Sequence, residues 1–144
     1  MLSAMERAKH YLSICNSGPS EVLAEIALGA RKKILDRNHK IIAANLELLN
    51  QFFDTYPALF DWSVPDGGCI GYPRYKGEDG VDNFCKSLVE ESGVLLLPAS
   101  VYSSALNDTP DDRFRIGFGR RNIQEGLDVM HTHLDNAYPM REAL

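Results

Sequence analysis

The sequence is poor in cysteine, in surplus basic charge and in long apolar runs, and each shortage closes off a class of protein. Its three cysteines, Cys15, Cys69 and Cys85, are odd in number, widely spaced and form no Cys-x-x-Cys pair. Neither a disulfide framework nor a zinc site is indicated, and a reducing compartment fits best. No stretch approaches the roughly 20 apolar residues of a membrane span, and residues 1–12 lack the apolar core of a secretory signal. The expectation is a soluble, cytoplasmic chain with no membrane partner. The net charge is −5, and the basic clusters Arg31-Lys32-Lys33 and Arg120-Arg121 are short and isolated, so no nucleic-acid partner is expected. There is no Gly-x-Ser-x-Gly, and the glycines of Pro65-Asp66-Gly67-Gly68 belong to no Gly-x-Gly-x-x-Gly and precede no helix, which leaves turn geometry as their reading. His131 and His133 are two apart on a helical stretch and diverge around its axis, so no metal site is expected.

What is present is ordinary globular composition, with 44% hydrophobic and 24% charged residues over 144 positions. That length suits one domain with a single core. Residues 1–12 read as a short helix. Ser17-Gly18-Pro19-Ser20-Glu21 then starts a firm one, with proline in the first turn, where its missing N–H costs nothing, and Glu21 near the positive end of the helix dipole. Apolar residues at helical spacing continue from Val22 to Tyr56. A continuous helix of that length would reach about 55 Å at 1.5 Å per residue, too long for a compact domain of this size. The expectation is therefore a kink between Gly29 and Asn38, with the first part packed on something outside this chain.

After Pro57, residues 60–64 and 69–72 read as strands of a hairpin. Val81, Phe84, Cys85, Leu88 and Val89 mark an amphipathic helix ending at Gly93, residues 94–97 a short buried strand, and residues 98–112 a polar connection. Asn122 with Glu125 has the form of a capping box before a last helix carrying Ile123, Leu127, Met130 and Leu134. The order predicts an α/β fold of α+β type: a small, mainly antiparallel sheet packed against helices, with a long N-terminal linking helix.

Residues 112–119, Asp-Arg-Phe-Arg-Ile-Gly-Phe-Gly, form the most informative stretch. Phe114, Ile116 and Phe118 alternate with Arg113, Arg115 and Gly117, the two-residue period of a strand with one buried face. The opposite face carries guanidinium groups beside glycine, a combination suited to a small anion, with Arg115 at the strand's centre.

Taken in order, Ile14-Cys15-Asn16-Ser17-Gly18-Pro19-Ser20-Glu21, the long helix, Pro65-Asp66-Gly67-Gly68, Gly93-Val94-Leu95-Leu96-Leu97-Pro98 and Phe114-Arg115-Ile116-Gly117-Phe118-Gly119 resemble the C-terminal part of class I and II pyridoxal-phosphate-dependent aminotransferases. The resemblance covers nearly the whole chain. It implies that residues 1–18 are a short helix and connection from a missing large domain, and residues 19–144 the small domain that closes over the substrate. It further implies that Arg115, rather than Arg113, binds the substrate carboxylate of an amino acid or 2-oxo acid. The parent protein would be a homodimeric transaminase using pyridoxal phosphate.

The Schiff-base lysine, the acid on the pyridinium nitrogen and the phosphate cup belong to the large domain in that family. None of Lys9, Lys32, Lys33, Lys40, Lys76 or Lys86 stands in its Ser-x-x-Lys setting. The resemblance thus implies no catalytic or cofactor-binding residue in this chain, no specific pyridoxal phosphate on it, and no activity by itself. Ala99 stands where the family usually has glycine after Leu-Pro, which leaves the local turn and the place of Tyr102 open. Two alternatives accompany this reading: a stand-alone binding domain of the same fold, and the same domain of a related lyase, decarboxylase or cyclising enzyme.

Overall fold

The computed structural model describes residues 1–106 and 108–138. They divide into two compact units, 1–38 and 39 onward.

The first unit holds α1 (Leu2–Ser13), α2 (Gly18–Gly29) and the first residues of α3 (Arg31–Thr55). Ser17 is extended ahead of α2, and Pro19 lies in the first turn, as its fixed φ favours. The helical run breaks within the stretch where a kink is expected, between α2 and α3. Ala30 leaves helical geometry at φ −93 and ψ 8, directly after Gly29, whose backbone freedom disfavours a helix interior. Neither α1 nor α2 buries a residue, and Leu12, Val22, Leu23, Ile26 and Leu28 are all exposed.

The second unit has its own core. Asn45, Leu49, Phe52 and Phe53 of α3 are buried, a stripe at helical spacing that faces the sheet residues and the later helices. β1 (Phe60–Asp61), β2 (Ile70–Gly71), β3 (Arg74–Tyr75), α4 (Val81–Ser92), β4 (Leu97–Pro98), a 3-10 helix (Ala99–Tyr102), β5 (Phe114–Gly117) and α5 (Ile123–Ala137) follow. Two small antiparallel sheets result, β1 with β3 and β2-β5-β4. The fold is α+β, as the sequence predicts.

The hairpin between residues 60–64 and 69–72 does not form: β1 pairs with β3, and β2 pairs with β5. Packing overrides local turn chemistry here, because the Trp62 indole stacks on Phe53 at 4.7 Å and lies over the backbone of Gly71. A β-carbon on Gly71 would stand 2.5 Å from the indole ring. The 94–97 strand shrinks to Leu97–Pro98, with Leu95 exposed and only Leu96 of that run fully buried. Asn122 precedes α5, but its side chain makes no capping bond.

Phe60 lies at the middle of the core, with ring centroids of Phe53, Tyr75, Phe84 and Phe114 all between 5.4 and 5.9 Å away. Tyr75 and Phe84 stack at 4.4 Å. Gly93 closes α4 in the left-handed conformation at φ 73, which a residue with a β-carbon adopts only with strain.

Candidate functional site

The site is built on β5. Phe114 and Ile116 point into the core while Arg115 and Gly117 are exposed, in the alternation read from the sequence. Register places Leu97 of β4 opposite Arg115, and Ile70 of β2 opposite Gly117. Paired residues of an antiparallel ladder share a face, so Arg115 stands among Leu97, Ile70 and Gly117. Gly117 has open space where a β-carbon would be, so a group approaching Arg115 meets no side chain from that position.

The two arginines of the strand differ sharply. Arg113 is half-buried; its Nη1 donates to the Tyr72 carbonyl oxygen at 3.0 Å, and its guanidinium lies 5.9 Å from the Tyr72 ring. Arg74 pairs with Asp112 at 2.6 Å. Among the described residues no carboxylate comes within 4.0 Å of Arg115. Its Nη1 donates instead to the Tyr102 hydroxyl oxygen at 3.1 Å. Ala99 is accommodated in place of glycine because the backbone there has no positive φ, and its N–H donates to the Arg113 carbonyl at 2.8 Å.

The strand is supported from behind by a residue that periodicity does not single out. The Asn45 side-chain amide donates to the carbonyl oxygens of Phe118 at 2.8 Å and Arg120 at 2.6 Å. A polar residue inside the apolar stripe of α3 was the available signal, but its partners are more than 70 residues away.

The histidines of α5 take separate structural places. His131 Nδ1 lies 2.8 Å from the Tyr56 hydroxyl, which also donates to Asp135 at 3.1 Å. Burial chiefly, with the Asp135 carboxylate adding to it, pushes the Tyr56 phenol up to about 12. His133 is buried between the Ser92 and Ser87 hydroxyls at 3.0 and 3.3 Å, with Glu91 at 3.6 Å. Tyr75, Asp79 and Tyr138 form a third polar group, in which burial again raises both phenols. Burial, assisted by Asp82, likewise raises the Cys85 thiol to about 12, which keeps it protonated and a poor nucleophile.

Several solved structures share this architecture. A pyridoxal-phosphate-dependent aminotransferase from Streptococcus suis 89-1591 superposes on it with a TM-score of 0.80 and 26% identity, over 91% of this chain and 34% of that one. The chain has the fold of the C-terminal domain of aspartate aminotransferase-like enzymes. The pyridoxal-phosphate-dependent cyclase OrfR matches with a TM-score of 0.79 and 23% identity, over 94% of this chain and 36% of that one. In sequence, capreomycidine synthase of Streptomyces vinaceus is 26% identical over 136 residues, 93% of this chain and 33% of that protein. The chain therefore spans about a third of the length of the relatives it matches. No protein-family model matches it.

Among the described residues no lysine has the buried setting of an imine-forming amine. All six lysines are exposed: Lys9 bonds to Ser13 and Asn16, Lys32 pairs with Asp36, and Lys76 donates to the Pro57 carbonyl. An imine-forming lysine is usually held in a desolvated pocket, and none of these six is buried. Arg115, without an acidic partner among the described residues, has the chemistry to bind a carboxylate.

Proposed function

We propose that this chain is the C-terminal small domain of a pyridoxal-phosphate-dependent enzyme acting on amino acids, and that Arg115 binds the substrate carboxylate. The observation carrying this reading is the setting of Arg115: an exposed guanidinium without an acidic partner among the described residues, on an open sheet face beside Gly117. Two parallel N–H···O bonds from a planar fork both anchor a carboxylate and orient it. Held this way, the amino acid presents its Cα in one direction, and closure of the domain excludes water.

The exposed Leu2, Met5, Tyr11 and Leu12 of α1 support residues 1–18 as a connection to a large domain, and the exposed apolar residues of α2 support a covering surface outside this chain. A helix apolar on so many sides is normally covered. The cofactor site and the greater part of a homodimer interface would lie in that domain, in a cytoplasmic enzyme.

In the intact enzyme, Arg115→Ala should raise KM for the amino acid at least tenfold, in line with loss of a charge-assisted bidentate contact. An unchanged KM would overturn the assignment of Arg115. Transamination is the leading reaction, since the structural relatives include aminotransferases. Cyclisation is the second, favoured by the similarity to the cyclase OrfR. Product analysis separates them, because transamination consumes one 2-oxo acid and releases another, whereas cyclisation consumes none.

A further inference from the structure

The Tyr102 hydroxyl meets Arg115 at one end of the guanidinium only. Nη1 donates to it at 3.1 Å, and among the described residues Nε and Nη2 meet no acceptor. A guanidinium offers five N–H bonds in a fixed plane, so one end is held while the edge formed by Nε–H and Nη2–H is left for a ligand. That edge is one of the two on which a carboxylate can sit with parallel hydrogen bonds.

The placement of Tyr102 is a consequence of the fold. Leu97 pairs with Arg115, and the chain then turns at once into the four-residue 3-10 helix that ends in Tyr102. That turn is pinned at its start by the fully buried Ala99, whose N–H bonds to Arg113, and in its middle by Ser100, whose hydroxyl donates to Asp82 of α4. The Ser103 N–H closes it on the Ser100 carbonyl at 3.1 Å. A tyrosine on so anchored a turn can restrain a long arginine that would otherwise sample many rotamers on an open face.

We infer that Tyr102 is a positioning residue for carboxylate recognition: it holds Nη1 of Arg115 and presents the Nε–Nη2 edge to the carboxylate of an amino acid or 2-oxo acid. The inference rests on the carboxylate-binding reading of Arg115. It adds a second residue, one that sets the direction of approach. Ordering a rotamer-rich side chain opposes binding, and prior restraint by Tyr102 removes that cost from the binding step. Loss of the hydroxyl should therefore weaken carboxylate binding about three- to tenfold.

The test uses the full 144-residue chain, isotopically labelled, with pyruvate as the probe. Binding is read from the Gly117 amide signal, and freedom of the guanidinium from the side-chain N–H signals of Arg115. In the unaltered chain, pyruvate should shift the Gly117 amide and the Arg115 Nε–H saturably. Tyr102→Phe should keep the backbone spectrum, increase rotation of the guanidinium about its Nε–Cζ bond and lower the affinity three- to tenfold, a combination that a purely structural role for the ring would not produce. Tyr102→Phe with unaltered affinity, while Arg115→Ala abolishes binding, overturns the role of Tyr102 and leaves that of Arg115 standing. Equal binding by Arg115→Ala overturns the underlying reading together with this one, as does the absence of any saturable shift in the unaltered chain.

Discussion

The side-chain amide of Asn45 donates to the main-chain oxygen of Phe118 at 2.8 Å, joining the middle of α3 to the end of the strand that carries Arg115. Its second amide proton goes to the Arg120 carbonyl at 2.6 Å. The Phe118 end of the segment is thereby fixed from inside the core, while Arg115 stands on the open face of the same strand.

Replacing Asn45 by alanine should leave both carbonyls without a donor. A buried polar group stripped of its partner costs about 1 to 3 kcal/mol, so the urea midpoint of Asn45→Ala should fall by that equivalent with little change in m. Asn45→Asp should be at least as harmful, since a carboxylate would face two carbonyl oxygens. A midpoint unchanged in both variants would mean that the strand end is held by other contacts.

Gly71→Ala should displace the chain's single tryptophan. The new β-carbon would stand 2.5 Å from the Trp62 ring, which stacks on Phe53 and donates from Nε1 to Asn50 at 2.8 Å. Overpacking of this kind costs about 1 to 3 kcal/mol. Because there is one tryptophan, its fluorescence should shift to longer wavelength. An emission spectrum identical to that of the unaltered chain would show that the indole is not confined.

Phe60→Ala should be among the most damaging single changes in the second unit. Phe60 is 3% exposed and sits within ring contact of α3, β3, α4 and β5 residues at once. Truncating such a phenylalanine costs about 3 to 5 kcal/mol, and thermal unfolding would register it. A loss within about 0.5 kcal/mol, the ordinary size for a surface change, would be incompatible with a residue at the hub of the core.

Alkaline pH should destabilise the fold partly through Tyr56. Its phenol is raised in the folded state to about 12 from an ordinary value of 10.0. The unfolded chain therefore loses that proton first as pH rises, and binds fewer protons than the folded chain between the two values. The stabilisation is complete below pH 10 and disappears as pH climbs through about 12. Urea unfolding of Tyr56→Phe should show a shallower fall across that window, from a lower starting stability because the bonds to His131 and Asp135 are lost. Parallel curves for the two proteins would remove Tyr56 from the linkage.

Reduction with borohydride after mixing with pyridoxal phosphate should scatter adducts over the six exposed lysines. Peptide mapping by mass spectrometry gives the distribution. A stoichiometric adduct on one lysine would contradict the exposure and contacts of all of them.

The alternation from Phe114 to Phe118 was legible because a strand with one buried face must repeat every two residues, and the stretch does so without interruption. The start of α2 at Ser17-Gly18-Pro19 was legible for an equally local reason, the preference of proline for the first turn of a helix. The 60–72 hairpin that turn chemistry predicts does not form because the strands are only two residues long, and in so short a ladder the placement of one indole outweighs turn preference. Asn122 and Glu125 likewise had the residue types of a capping box without its geometry.

Local order therefore determined the helices and the alternation of β5 and, through their succession, the resemblance that singled out Arg115 as the arginine of interest. Tertiary structure alone decided what surrounds it. Asn45, Tyr102 and Leu97 lie between 13 and 75 residues from the groups they hold or face, and hydrogen bonds across such separations depend on how α3, the 3-10 helix and β4 pack. Periodicity assigns a side chain to a face of its own element, and packing determines which other elements that face meets.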